Sequence, residues 1–152
     1  MRGISITDST PDGSVLTVDL VDILRLLGPL AIQTEWEVAD VESVGGASAR
    51  ELERLAEAGT RVPGQTLLSL VDGVTQIIDG KFAGYRDGED QPWIIVRAVD
   101  SSAFDVESED EAIVSALKRQ FKSVTELDAI ESPAVQQRAP REPLAGPRSA
   151  GG

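Results

Sequence analysis

The chain has no histidine and no cysteine. Without imidazole or thiol it lacks the commonest general base, the commonest metal ligands and the thiol nucleophile. No disulfide and no thiolate metal site can form, a composition that suits a reducing compartment. Aromatic residues are only 4% of the total, so Leu, Ile and Val must fill most of any core. Long apolar runs are missing as well. Residues 15–30 are broken by Asp19, Asp22 and Arg25, and residues 93–99 are too few to span a bilayer. The opening MRGISITDSTPDGS has no apolar run after Arg2 and does not read as a signal peptide. These absences predict a soluble cytoplasmic protein that uses no cofactor and no metal and does not bind membranes.

What is present is acid. The chain carries 26 Asp and Glu against 14 Lys and Arg, for a net charge of −12. Such a field repels phosphate backbones and anionic lipid and favours a basic protein partner over nucleic acid. Arg outnumbers Lys 11 to 3, the usage expected of a GC-rich bacterium. The length of 152 residues fits one domain.

Order divides near residue 124. Residues 1–122 hold 22 acids and 11 bases, whereas the rest is nearly balanced and contains Pro133, Pro140, Pro143 and Pro147, half of the prolines. No periodic apolar pattern follows Ile130, so residues 124–152 read as a disordered tail that cannot offset its ordering entropy. Residues 1–14 read as a flexible N-terminus, leaving a single domain over 15–123.

Within that domain Thr17 is placed to cap a short helix stopped by Gly28-Pro29. Residues 32–38 alternate apolar Ile32, Thr34, Trp36 and Val38 with Gln33, Glu35 and Glu37, the period of a half-buried strand, and the alternation slips at Ala39-Asp40-Val41, the mark of a bulge or a strand end. Ser48 and Glu51 have capping-box spacing ahead of a helix ended by Gly59. Leu67, Leu70, Val71, Val74 and Ile78 recur at helical spacing over 65–78. From Lys81 the period becomes two. A strand containing Phe82 and Tyr85, a near-continuous apolar strand over 93–99 and a strand with Phe104 and Val106 are joined by short links. Ser108 and Glu111 repeat the capping-box spacing before a helix running through Phe121. The sequence therefore predicts an α+β fold: a four-stranded, mostly antiparallel sheet ending in a meander, with about four helices on one face. The apolar run at 93–99 predicts a strand covered on both faces.

Three groups of polar residues could carry function. Glu35 and Glu37 share one side of a strand, roughly 7 Å apart, with Asp40 and Glu42 following. They could hold Mg²⁺ or share a proton, although no D-x-D pattern supports this and a solvated strand face is the simpler reading. Asp100, Ser101 and Ser102 form a turn that could serve as a recognition loop. The serines lack the G-x-S-x-G and S-x-x-K spacings of nucleophiles, and turns favour these residue types anyway. Asp105 and Glu107 lie on the strand that follows. Arg97, inside the apolar strand, needs a carboxylate from a neighbour. The loop at 87–90 lacks a calcium-binding register. The Gly151-Gly152 end suits ubiquitin-like conjugation, but the element order is not a β-grasp.

The sequence thus favours a non-catalytic acidic interaction module of the inhibitor, immunity or adaptor kind. It would offer Glu35, Glu37, Asp40, Glu42, Asp100, Ser101, Ser102, Asp105 and Glu107 to a basic partner. A Mg²⁺-dependent carboxylate enzyme and a structural subunit of a bacterial assembly are the alternatives.

Overall fold

The structure, a computed structural model, describes residues 1–127. In chain order the elements are β1 (Arg2–Ile6), α1 (Leu20–Leu27), α2 (Pro29–Gln33), β2 (Glu35–Val44), α3 (Gly46–Ala58), β3 (Arg61–Pro63), α4 (Gly64–Asp72), β4 (Gln76–Tyr85), β5 (Ile94–Val99), β6 (Ala103–Ser108), α5 (Glu111–Gln120) and β7 (Val124–Leu127). The strands form one sheet in the order β3-β2-β4-β5-β6-β1-β7, and every pairing is antiparallel.

One side of this sheet builds the core. Ile4, Val106, Val96, Phe82 and Val38 occupy a single register row across β1, β6, β5, β4 and β2, and each is fully buried. The next row runs Ser108, Ile94, Gly84, Trp36 and Val62. All five helices bury residues in the same apolar cluster, so they form a single layer on this side. Bringing α4 so close requires glycine at residue 64, because a Cβ there would overlap the Ala31 carbonyl oxygen at the end of α2.

Among the described residues the four-stranded expectation is corrected to seven strands and five helices. Two added strands lie at the ends of the described chain. Arg2–Ile6, assigned by sequence to a loose terminus, runs between β6 and β7 and buries Ile4 and Ile6 completely. Val124–Leu127, assigned to the tail, is the edge strand β7, fastened to α5 by the Lys118–Glu126 ion pair at 2.5 Å. The rest of the expected tail, including Gly151-Gly152, lies outside the described residues. A third, β3, is three residues long and too short to show a period.

The remaining differences are local. The helical spacing over 65–78 fails after Asp72, where Gly73 caps α4, and Gln76 begins β4, because Ile77 pairs with Ser43. Asp19, not Thr17, caps α1, accepting from Leu20 N–H at 2.8 Å while its own N–H donates to Asp22. Ser48 does not cap α3, which begins at Gly46 with no side-chain cap. Asp110, not Ser108, caps α5, while the Ser108 hydroxyl donates to the Trp93 carbonyl and accepts from Asp110 N–H. The expected irregularity at Ala39-Asp40-Val41 coincides with a register shift, with Asp40 at φ 54°. No helix among the described residues is long and apolar enough to cross a membrane.

Candidate functional site

The alternation that buries one side of the sheet presents the other, and no described helix packs on it. One register row of this second face runs Arg61, Glu37, Ala83, Ile95 and Glu107 from β3 to β6, and continues to Gly3 and Leu127 at the far edge. The neighbouring row runs Ala39, Lys81, Arg97, Asp105 and Ser5. The expectation that residues 93–99 are covered on both sides is therefore corrected. Ile94, Val96 and Ala98 are buried, whereas Ile95 and Arg97 are half-exposed on the open side. The run looked continuous because Ile95 is apolar and only Arg97 marks the outer face.

The open face is electrostatically mixed and ordered by a few specific contacts. The Arg61 guanidinium stacks 3.6 Å from the Tyr85 ring centre, and the Tyr85 hydroxyl donates to Glu37 Oε1 at 3.1 Å. Burial pushes the Tyr85 phenol up, and its bond to Glu37 reinforces the shift. Arg97 Nη1 donates to Glu107 Oε1 at 2.7 Å, the carboxylate partner that its place in the strand demanded. With both groups part-exposed this pair contributes about 0–1 kcal/mol. Glu42 stands directly opposite Asp79 across β2 and β4. Like charges so placed repel, and Asp79 also accepts from the Asp100 N–H at 2.8 Å. Lys81 makes none of the ion pairs found among the described residues.

The sequence-derived candidates are thus divided. Glu35, Glu37, Glu42, Asp105 and Glu107 come together on the open face. Asp40 does not join them. It sits in the bulge and lines a hollow of about 290 Å³ with Glu53 and Glu57 of α3. Asp100, Ser101 and Ser102 are at one end of the sheet, where Asp100 and Ser101 take φ of 48° and 60° and the Ser102 N–H donates to the Val99 carbonyl. That is a two-residue hairpin turn of the type whose twist matches the strands, and the Ser101 and Ser102 hydroxyls are engaged with Gln76 and Val99. Among the described residues no three carboxylates converge as a metal site. Sequence reading missed Arg61, Asp79, Tyr85 and Ile95. The period-two pattern could have placed Tyr85 and Ile95, but Arg61 and Asp79 depend on β3 and on where β4 begins. An S-x-x-K spacing does occur at Ser115 and Lys118 on α5, but Lys118 is engaged in an ion pair with Glu126.

A groove of about 500 Å³ is lined by Asp8, Asp22, Arg25 and Phe121. Asp8 accepts from the backbone N–H groups of Lys122 and Ser123, Asp22 closes the α1 cap, and Arg25 pairs with Asp72. The charged groups of this groove are thus engaged within the chain. The uncovered sheet face is the candidate site. No family model matches this chain, and no curated protein or solved structure is similar to it.

Proposed function

We propose that this protein is a non-catalytic interaction module, working in the cytoplasm of a bacterium, whose uncovered sheet face binds a basic protein partner. One observation carries the reading. A seven-stranded sheet is covered by helices on a single side, and on the other Glu35, Glu37, Glu42, Asp79, Asp105 and Glu107 outnumber Arg61, Lys81 and Arg97. Six strand spacings make the face about 29 Å wide. That width, with strands averaging about six residues, offers roughly 600 Å² to a partner, the size of a transient interface. Its centre at Ala83 and Ile95 is apolar, and the acids surround it. Charge of this kind speeds encounter and rejects wrong partners more than it deepens affinity. The same field disfavours nucleic acid and anionic membrane as direct ligands.

The test is affinity capture from bacterial lysate at low and high salt with two variants of equal charge change. One carries Glu35→Lys, Glu42→Lys and Asp105→Lys on the open face. The other carries Glu57→Lys, Asp87→Lys and Glu89→Lys away from it. Retention of one partner by the wild type and the second variant, with loss in the first and at high salt, supports the reading. Equal retention by both variants, or no specific partner, contradicts it.

A further inference from the structure

The uncovered face has an occupant within reach on the chain itself. Leu127 ends β7 on this side of the sheet, in the row of Gly3 and Glu107, and its side chain flanks the place a Cβ on Gly3 would take. The 25 residues that follow start at the edge of the open face. They balance Asp128, Glu131 and Glu142 with Arg138, Arg141 and Arg148, so the entire excess of −12 resides in residues 1–127. The charges within the tail are also sorted. Two of its acids precede Pro133, and beyond it all three arginines stand against Glu142 alone.

We propose that residues 134–152 dock in cis across the uncovered sheet face, with Arg138 and Arg141 lying against Asp105 and the opposed Glu42–Asp79 pair. The length suffices. Eleven residues separate Leu127 from Arg138 and span up to about 36 Å, whereas the five strand spacings from β7 to β2 amount to about 24 Å. The charges fit, since an arginine between Glu42 and Asp79 relieves the repulsion that their register imposes. Composition selects the face over the sheet edge. Pro140, Pro143 and Pro147 cannot donate to a strand ladder and favour an extended chain read through its side chains. Tethering supplies an effective concentration on the order of millimolar, so a contact too weak to detect between separate molecules is substantially occupied. A basic partner must then displace the tail, which turns the face from an open surface into a competed one. The docking is a property of the isolated chain and holds whether or not the proposed partner exists.

The experiment uses the full chain carrying Ala145→Cys with a nitroxide label, which is the sole thiol because the chain has no cysteine. Backbone amide signals are followed by NMR. Docking predicts selective broadening at Lys81, Ile95 and Asp105 and none at Glu57 and Arg119 in the helical layer. The broadening falls at least twofold in Arg138→Glu/Arg141→Glu, and likewise at about 1 M salt, where the screening length is about 3 Å. Because the substitutions lie outside residues 1–127, every contact described within the sheet and its helices is kept. Absent broadening, broadening shared by both layers, or broadening indifferent to salt and to charge reversal overturns the proposal.

Discussion

At the scale of single residues, two indoles anchor the core through oxygen atoms near the end of α2. Trp36 Nε1 donates to the Ala31 carbonyl, and Trp93 Nε1 donates to the Thr34 hydroxyl at 3.1 Å, which itself donates to the Leu30 carbonyl. Thr34 and both indoles are buried. Thr34→Val keeps the shape but orphans the Trp93 N–H, and the expected loss is about 1–3 kcal/mol in chemical denaturation. A loss within error of zero would show that the bond adds nothing. Asp19 gives a pH-dependent counterpart. Burial raises its carboxyl, the nearby Asp22 charge adds to this, and the Leu20 and Ile77 N–H groups pull it back. A raised folded value means that the native state holds the proton more tightly than the unfolded chain. The Asp19 contribution is therefore full below the ordinary Asp value of about 3.9 and declines as pH rises through the folded value. Asp19→Asn preserves the capping oxygen and removes the charge. The stability difference between the variant and the wild type should shift in the variant's favour over that interval and then level off. A difference flat across the acid range would contradict the assignment. Asp12, held down at about 2 by Thr10 and Ser14, acts with the opposite sign and only at lower pH.

At the scale of elements, legibility followed the strength of the local pattern. The strand ending at Val99 was readable as an apolar run, though not its open side, and the helix before Phe121 from its apolar spacing, though its cap is Asp110 and not Ser108. The slip in alternation at Asp40 marked either a bulge or a strand end, and the continuation of β2 through a register shift decides between them. β1, β3 and β7 were not, since strands of three to five residues draw their stability from partners distant in sequence, as Ile4 does from Val106. The end of α4 was misplaced because Val74 and Ile78 continue its apolar spacing by chance, and only pairing with β2 decides the matter. For the site, the acids of β2 and β6 were visible from composition. Their gathering on one face was not, because strand order brings β2, β4, β5 and β6 together. The Asp100-Ser101 turn supplies an element-scale test. Both residues sit in the left-handed region, where glycine is unstrained. Ser101→Gly should stabilise by about 0.5–1 kcal/mol, read as a higher denaturation midpoint, and leave partner capture unchanged. Loss of capture with stability retained would restore the turn as a recognition loop.

At the scale of the whole molecule, the fold separates two tasks. The helical layer buries the apolar face and stabilises the domain, while the outer face of the sheet presents more acids than bases. Ion pairs such as Arg97–Glu107 hold that face in order without neutralising it. Glu42, Asp79 and Asp105 make none of the ion pairs found among the described residues, and these are the positions where an incoming cation gains most. The most direct measurement is the dissociation constant of the captured complex as a function of salt, for the wild type and for the Glu35→Lys, Glu42→Lys, Asp105→Lys variant. The account predicts that wild-type affinity falls at least tenfold, about 1.4 kcal/mol, between roughly 0.05 and 0.5 M salt as screening sets in, and that the variant binds weakly with a flattened slope. A salt-independent constant shared by both proteins would contradict it.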